Sequence, residues 1–157
     1  MSAEAVLTAV QSNGLVRILA KSNHLVIAGF QIVHVFGFLL LLASLALMSL
    51  RLLGLAFGRQ SVRQVTRQPT RLLWLGLSLA VTSGVLMLLT GPKHYYYNEA
   101  FELKMLLLLT AVTIQLVLFR RVTGSESPGP VLAKFTAGLS LALWFAVGAA
   151  GRAIGFT

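Results

Sequence analysis

The fold is decided by an apolar stretch from Leu25 to Leu50, which reads LVIAGFQIVHVFGFLLLLASLALMSL and contains no acidic or basic residue besides His34. A helix that crosses the hydrocarbon core of a bilayer needs about 20 apolar residues, each adding about 1.5 Å. Three further stretches are long and apolar enough, at 72–90, 101–119 and 131–156. The mean hydropathy of +0.84 and the hydrophobic content of 57% agree with four spans. The sequence therefore predicts an all-α fold, a four-transmembrane-helix bundle.

Length and composition limit what else the chain can hold. Four spans in 157 residues leave no room for a second domain, so we expect a single membrane domain over residues 1–157. The absence of cysteine excludes disulfides and cysteine-ligated clusters. The 13 lysines and arginines outnumber the 4 acids, but most of them lie in loops. There they indicate topology and contact with the lipid bilayer, and we expect no nucleic-acid partner.

The N-terminal residues predict an amphipathic helix on the membrane surface. Over residues 2–22, apolar side chains recur at mostly helical spacing, opposite polar residues such as Glu4, Arg17 and Lys21. The segment lacks the basic start and the cleavage site of a signal peptide. A soluble and partly helical tail is the alternative interpretation.

Basic residues are spread unevenly over the loops. The first loop, at 51–71, carries five arginines and no acid, and the third loop adds three basic residues against one acid. In the second loop, around residues 91–104, the charges cancel. The positive-inside rule then places the first and third loops in the cytoplasm. We therefore expect a multi-pass protein of the bacterial inner membrane, with both termini outside, in the periplasm.

Three spans place a basic side chain at nearly the same depth. Counted from the inner end of each span, His34 lies about 25 Å along the first helix, Lys104 about 24 Å along the third and Arg152 about 27 Å along the fourth. This level lies just inside the outer boundary of a hydrocarbon core that is about 30 Å thick. The alternative is that Lys104 and Arg152 extend separately to the outer headgroups and that His34 only links two helices.

A haem would use such a set of side chains. Neutral His34 could ligate the iron, while Lys104 and Arg152 could pair with the two propionates at the wet rim. His94, in the outer loop, is the candidate for a second metal ligand. His24 lies about 15 Å along the same helix from His34, so these two cannot flank one iron. Copper or zinc would need several convergent ligands, for which three scattered histidines are a weak set.

The chain resembles an uncharacterised bacterial family of four-helix integral membrane proteins. The resemblance rests on QIVHVFGF at 31–38, which continues to LRLLG at 50–54, and on YYNEAFELKMLL at 96–107. A third segment that resembles the family runs from Leu143-Trp144 to Gly151-Arg152. The similarity covers nearly the whole chain and implies four helices for the fold.

More distantly, the chain is similar to CopD-type copper-resistance proteins and to HemJ-type protoporphyrinogen oxidases. The shared features are a histidine early in one span, an arginine at its inner end and a lysine at the start of a leucine-rich helix. The second similarity implies haem b near the membrane surface. It places His34, Arg51 and Lys104 at the positions of that group's histidine, arginine and lysine.

The leading functional hypothesis is a small cytochrome b-like protein that holds one haem b near the outer face for electron transfer. The alternative is a non-catalytic accessory subunit that packs against other membrane-protein subunits through its small-residue faces and its N-terminal surface helix. Small residues in the spans predict close helix contacts, and these are Gly29, Gly37, Ser83, Gly84, Gly148, Gly151 and Gly155. A copper or metabolite carrier would need a polar pathway, and we identify none through the inner two-thirds of the spans. No catalytic residue is predicted.

Overall fold

The computed structural model describes residues 12–14, 16, 24–125 and 128–156. These residues form helices and loops without a strand, and four helical stretches among them are long and apolar enough to cross a membrane. The helices are α1 (His24–Leu53), α2 (Val62–Thr90), α3 (Pro92–Tyr96), α4 (Glu99–Ile114), α5 (Arg120–Gly124) and α6 (Pro130–Ala153). The predicted all-α bundle with four spanning helices is confirmed, and the chain is a multi-pass membrane protein. The predicted surface helix at 2–22 lies largely outside the described residues.

The second spanning helix begins at Val62, well before the predicted span at 72–90. Ser61 is in the extended conformation, and its hydroxyl accepts a hydrogen bond of 3.3 Å from the Gln64 amide, which caps the helix. Pro69 lies inside α2, but the helix continues to Thr90. Much of the arginine-rich segment at 51–71 is therefore helix rather than loop, and we call this end of the bundle the arginine-rich end.

The third span is a single helical rod that contains one π-helical turn. The helix α4 runs directly into this π turn at Gln115–Phe119 and then into α5. Asn98 caps the start of α4, because its side chain accepts a hydrogen bond of 3.0 Å from the backbone amide of Phe101. A π turn interrupts the 3.6-residue period and often occurs at functional sites. Here it coincides with the burial of Gln115, whose side chain is only 3% exposed.

The spanning helices do not all touch each other. Along the bundle, α1 packs against α2 and α6, and α6 packs against α4. At the arginine-rich end α2 also approaches α5, whereas no Cα atom of α2 lies within 8 Å of one in α4 among the described residues. The bundle is thus closed at the arginine-rich end and separated between α2 and α4 at the other. We call this separation the α2–α4 gap.

The closest helix crossing joins α1 to α2 at Gly37 and Gly76. A Cβ atom added to Gly37 would lie 2.8 Å from the Gly76 carbonyl oxygen, and one added to Gly76 would lie 2.6 Å from the Gly37 carbonyl oxygen. Only glycine fits at such a backbone-to-backbone contact. The predicted packing role of Gly37 is confirmed, and its partner Gly76 was not predicted. By contrast, Gly29 has no described atom within 4 Å of an added Cβ.

The core towards the arginine-rich end contains polar groups that the sequence analysis did not identify. The side chains involved are almost fully buried, and they are Ser44, Ser49, Gln115, Thr136 and Ser140. Ser140 donates a hydrogen bond of 2.8 Å to the Gln115 Oε1 atom. The buried atoms without a hydrogen-bond partner in the described part of the chain are Ser49 Oγ, Thr136 Oγ1 and Trp144 Nε1. The interior of the spans is therefore not uniformly apolar.

We expect Gly76→Ala to lower the melting temperature of the protein in detergent. Its new Cβ would lie 2.6 Å from the Gly37 carbonyl oxygen and 2.7 Å from the Leu41 amide nitrogen, both of which are backbone atoms. Overpacking of this kind costs about 1–3 kcal/mol, because the helices must move apart. Gly138→Ala in α6 is the matched control, since no described atom lies within 4 Å of its added Cβ. Equal melting temperatures for the two variants would contradict the close crossing.

We expect Thr136→Val to stabilise the protein against thermal unfolding. The substitution keeps the shape of the side chain but removes a hydroxyl that is buried without a partner, and such a group costs about 1–3 kcal/mol. Thr66→Val is the control, because the Thr66 hydroxyl is equally buried but donates to the Val62 carbonyl oxygen at 2.9 Å. A loss of stability in Thr136→Val alone would show that the hydroxyl has a partner, such as an ordered water.

Candidate functional site

His34 connects the first two spanning helices. Its Nδ1 atom lies 2.7 Å from the Ala80 carbonyl oxygen of α2. Because a carbonyl oxygen only accepts, Nδ1 carries a proton and donates it in this bond. The Ser83 hydroxyl lies 3.3 Å from the same nitrogen and donates to the Leu79 carbonyl oxygen at 2.6 Å. In the neutral imidazole, Nε2 is then the nitrogen with the free lone pair.

Gly84 makes room for the imidazole ring. A Cβ atom at Gly84 would lie 3.1 Å from the His34 Cε1 atom and 3.3 Å from its Nδ1 atom. The small pair Ser83-Gly84, predicted to mark a close helix contact, thus receives a side chain from the neighbouring helix. The hydrogen bond to the Ala80 carbonyl oxygen fixes one edge of the imidazole ring, and the missing side chain of Gly84 leaves space for the ring between α1 and α2.

Lys104 extends from α4 across the surface of α6. Its Cε and Nζ atoms lie 3.3 Å from the position of an added Cβ at Gly151. The side chain is half-buried, and its ammonium is close enough to His34 for an electrostatic interaction. Within the part of the chain that the structure describes, no carboxylate pairs with this ammonium. This electrostatic interaction places His34 and Lys104 in the same region of the bundle, beside the α2–α4 gap.

Arg152 lies next to Gly151 in the chain but its side chain is directed elsewhere. The guanidinium carbon is 4.4 Å from the centroid of the Phe156 ring, in cation–π geometry, and the side chain is exposed. The structure thus packs the Arg152 guanidinium against Phe156 rather than against His34 or Lys104.

His94 belongs to the short helix α3 beyond the end of α2. Its exposed ring packs edge-on against Tyr95, with 5.4 Å between centroids, and burial raises the pKa of the Tyr95 phenol above its ordinary value. From Ala80, the partner of His34, the helix α2 runs ten more residues, about 15 Å, before it ends at Thr90. The structure therefore does not bring His94 next to His34. No group of three or more His, Asp or Glu side chains suited to a metal ion occurs among the described residues.

An aromatic wall lies one helical turn from His34. Phe38 follows His34 by four residues and so shares its face of α1. Its ring packs against Trp144 of α6, with 6.5 Å between centroids, and a Cβ at Gly148 would lie 2.9 Å from the Phe38 Cε1 atom. Imidazole, ammonium and aromatic surface are thus neighbours. Sequence reasoning missed the Ala80 carbonyl, because a backbone acceptor leaves no signal in the residue type.

Comparison with known proteins identifies the family and little beyond it. A sequence model described as a family of unknown function, DUF6644, matches residues 11–157. No curated protein and no solved structure matches the chain. The predicted resemblance to an uncharacterised family is confirmed, whereas nothing in the matches supports the more distant similarity to CopD-type or HemJ-type proteins. Since the match covers nearly its whole length, the chain belongs to the DUF6644 family.

Proposed function

We propose that this protein binds one haem b beside the α2–α4 gap and takes part in electron transfer within the membrane. The observation that carries the proposal is the orientation of His34, whose Nδ1 donates to the Ala80 carbonyl oxygen at 2.7 Å. Histidines that ligate metals characteristically donate their other ring nitrogen in this way, which fixes the tautomer and the ring. When bound, haem b supplies one-electron redox chemistry.

The surroundings of His34 suit the rest of a haem. The Lys104 ammonium has no carboxylate partner among the described residues, so it is available to a propionate. The half-buried Phe38, whose ring rests on the buried Trp144, provides an apolar surface for the macrocycle. The α2–α4 gap separates the two helices between which a flat ligand would enter. These three features support haem over a bare metal ion, which needs several convergent ligands.

Arg152 would bind the second propionate, whereas His94 would not ligate the iron. An exposed cation–π contact is worth about 0.5–1 kcal/mol, so the Arg152 guanidinium can leave Phe156 for the second propionate at little cost. His94, by contrast, lies beyond the end of α2, so His34 would be the histidine that holds the haem iron.

We expect the purified protein, expressed with ample haem, to show a Soret absorption band that His34→Ala abolishes. The reason is the loss of the imidazole that would ligate the iron. His24→Ala is the matched control, since His24 is exposed at the start of α1 and should leave the band unchanged. His94→Ala should also retain it. Circular dichroism and gel filtration show whether each variant has folded, and a colourless wild-type protein would overturn the proposal.

A second candidate is an accessory subunit of a larger membrane complex. Gly29 in α1 and Gly138 in α6 have no described atom within 4 Å of an added Cβ. Glycine inside a helix costs about 1 kcal/mol relative to alanine, so such glycines favour the approach of a helix from another chain.

On this second candidate, we expect the protein to be colourless and to co-purify with other subunits in fixed proportion from mild detergent. Gly138→Leu should then release the partners without lowering the melting temperature of the isolated chain, because the new side chain enters open space. Purification of the wild-type protein alone and with haem would decide against this candidate.

A further inference from the structure

A second candidate site lies at the arginine-rich end, between α2 and the π turn of the third span. A groove of about 450 Å³ opens there, and its lining includes Thr70 and Trp74 of α2 and Gln115, Phe119 and Arg120 opposite them. This groove is far from His34, because Gln115 follows Lys104 by eleven residues, about 16 Å along the helix. It is therefore independent of the proposed haem site.

Two of the polar groups that line the groove, the Gln115 amide and the Arg120 guanidinium, are hydrogen-bond donors without an acceptor among the described residues. The Gln115 Oε1 atom already accepts a hydrogen bond from Ser140, at 2.8 Å. The side-chain nitrogen of Gln115 has no hydrogen-bond partner among the described residues. Because this nitrogen is not fully enclosed by the protein and Gln115 lines the groove, the nitrogen is accessible from the groove. The Thr70 hydroxyl is already used, since it donates to the Thr66 carbonyl oxygen at 2.7 Å. Beside the Gln115 amide, the exposed Arg120 guanidinium provides further donors and a positive charge.

The charge around the groove is positive, and the described residues that line it include no acid. Arg67 precedes Thr70 by three residues and therefore lies on the same face of α2, one turn nearer the end of the helix. Neither α2 nor the third span beyond Glu102 contains an acidic residue up to position 125. An anionic group with acceptor oxygens is complementary to this combination of guanidinium and amide.

The remaining wall of the groove is apolar and borders the lipid. Leu116 lines the groove with 45% of its surface exposed, and the adjacent Val117 is 59% exposed. Trp74 and Phe119 complete the apolar lining. Arg120 lies four residues beyond Leu116, about 6 Å nearer the end of the span, whereas the Gln115 amide lies beside Leu116. A phospholipid matches this arrangement, with its acyl chains in the core, its ester oxygens next to them and its phosphate at the interface.

We propose that this groove binds the head group of an anionic phospholipid. The Arg120 guanidinium pairs with the phosphate, and the Gln115 amide donates to a phosphate or ester oxygen. An acyl chain lies along Leu116 and beside the Trp74 ring. The π turn contributes by placing Gln115 and Arg120 on the side of the third span that faces α2.

Trp74 is a built-in probe for this proposal. The protein is placed in nanodiscs that contain either brominated phosphatidylglycerol or brominated phosphatidylcholine, and tryptophan fluorescence is measured. We expect stronger quenching by the anionic lipid, because it occupies the groove next to Trp74. The other tryptophan, Trp144, is 1% exposed and contributes the same background with both lipids. Trp74→Phe should therefore remove the difference between the lipids.

Two substitutions test the site itself. Arg120→Gln should abolish the excess quenching, whereas Arg121→Gln should keep it, because Arg121 is equally exposed and carries the same charge but does not line the groove. Gln115→Glu is the second test, since it retains an oxygen for Ser140 and places a carboxylate where the phosphate would bind. It should also abolish the excess.

Three results would overturn the proposal. Equal quenching of the wild-type protein by both lipids would exclude a selective site, and equal losses in Arg120→Gln and Arg121→Gln would show general surface charge instead. Removal of the excess by inorganic phosphate would assign the groove to a soluble phosphate compound. Melting temperatures measured for each variant separate loss of lipid binding from loss of fold.

Discussion

The close crossing of α1 and α2 at Gly37 and Gly76 is the contact on which the candidate site depends. Two glycines allow the backbones to meet where a Cβ would lie 2.6 Å from a carbonyl oxygen. His34 lies three residues before Gly37, and Ala80 lies four residues after Gly76, so both are about one turn beyond the crossing on the same side. At this separation the imidazole reaches the carbonyl oxygen at 2.7 Å. Helices held further apart would leave the ring without this acceptor.

Each end of the bundle contains a hydrogen-bond donor without a protein acceptor among the described residues. A polar group in hydrocarbon must find a partner within the protein or from a ligand, because no water is available there. Beside the α2–α4 gap, a half-buried ammonium without a carboxylate partner in the described residues remains next to an imidazole. At the arginine-rich end, the π turn leaves the Gln115 amide nitrogen open to a groove. Each unpartnered donor motivates a ligand of matching chemistry, a propionate in one place and a phosphate in the other.

The features that sequence predicted are those set by repeat distances. The spans follow from length and hydropathy, and the shared depth of the imidazole and the ammonium follows from a rise of about 1.5 Å per residue. The direction of a side chain cannot be predicted from repeat distances. Local packing directs Arg152 towards Phe156 instead of the gap, and this choice does not change the position of the residue along the helix. Gly76 lies between two leucines and is not part of a spaced pattern of small residues, so the sequence predicts a packing role for Gly37 but not for Gly76. Gln115 was overlooked because its burial depends on a π turn, which changes the helical period.

In the proposed site, His34 presents an unprotonated Nε2 atom to a haem. Nitrogen-15 solid-state NMR of the histidine-labelled protein in bilayers tests this protonation state directly, with the His34 signals assigned by their loss in His34→Ala. We expect a protonated Nδ1 and an unprotonated Nε2 before haem is added, and a change in the Nε2 signal when haem binds. An Nε2 atom that carries the proton, or a pair of signals that haem leaves unchanged, would rule out haem ligation by His34.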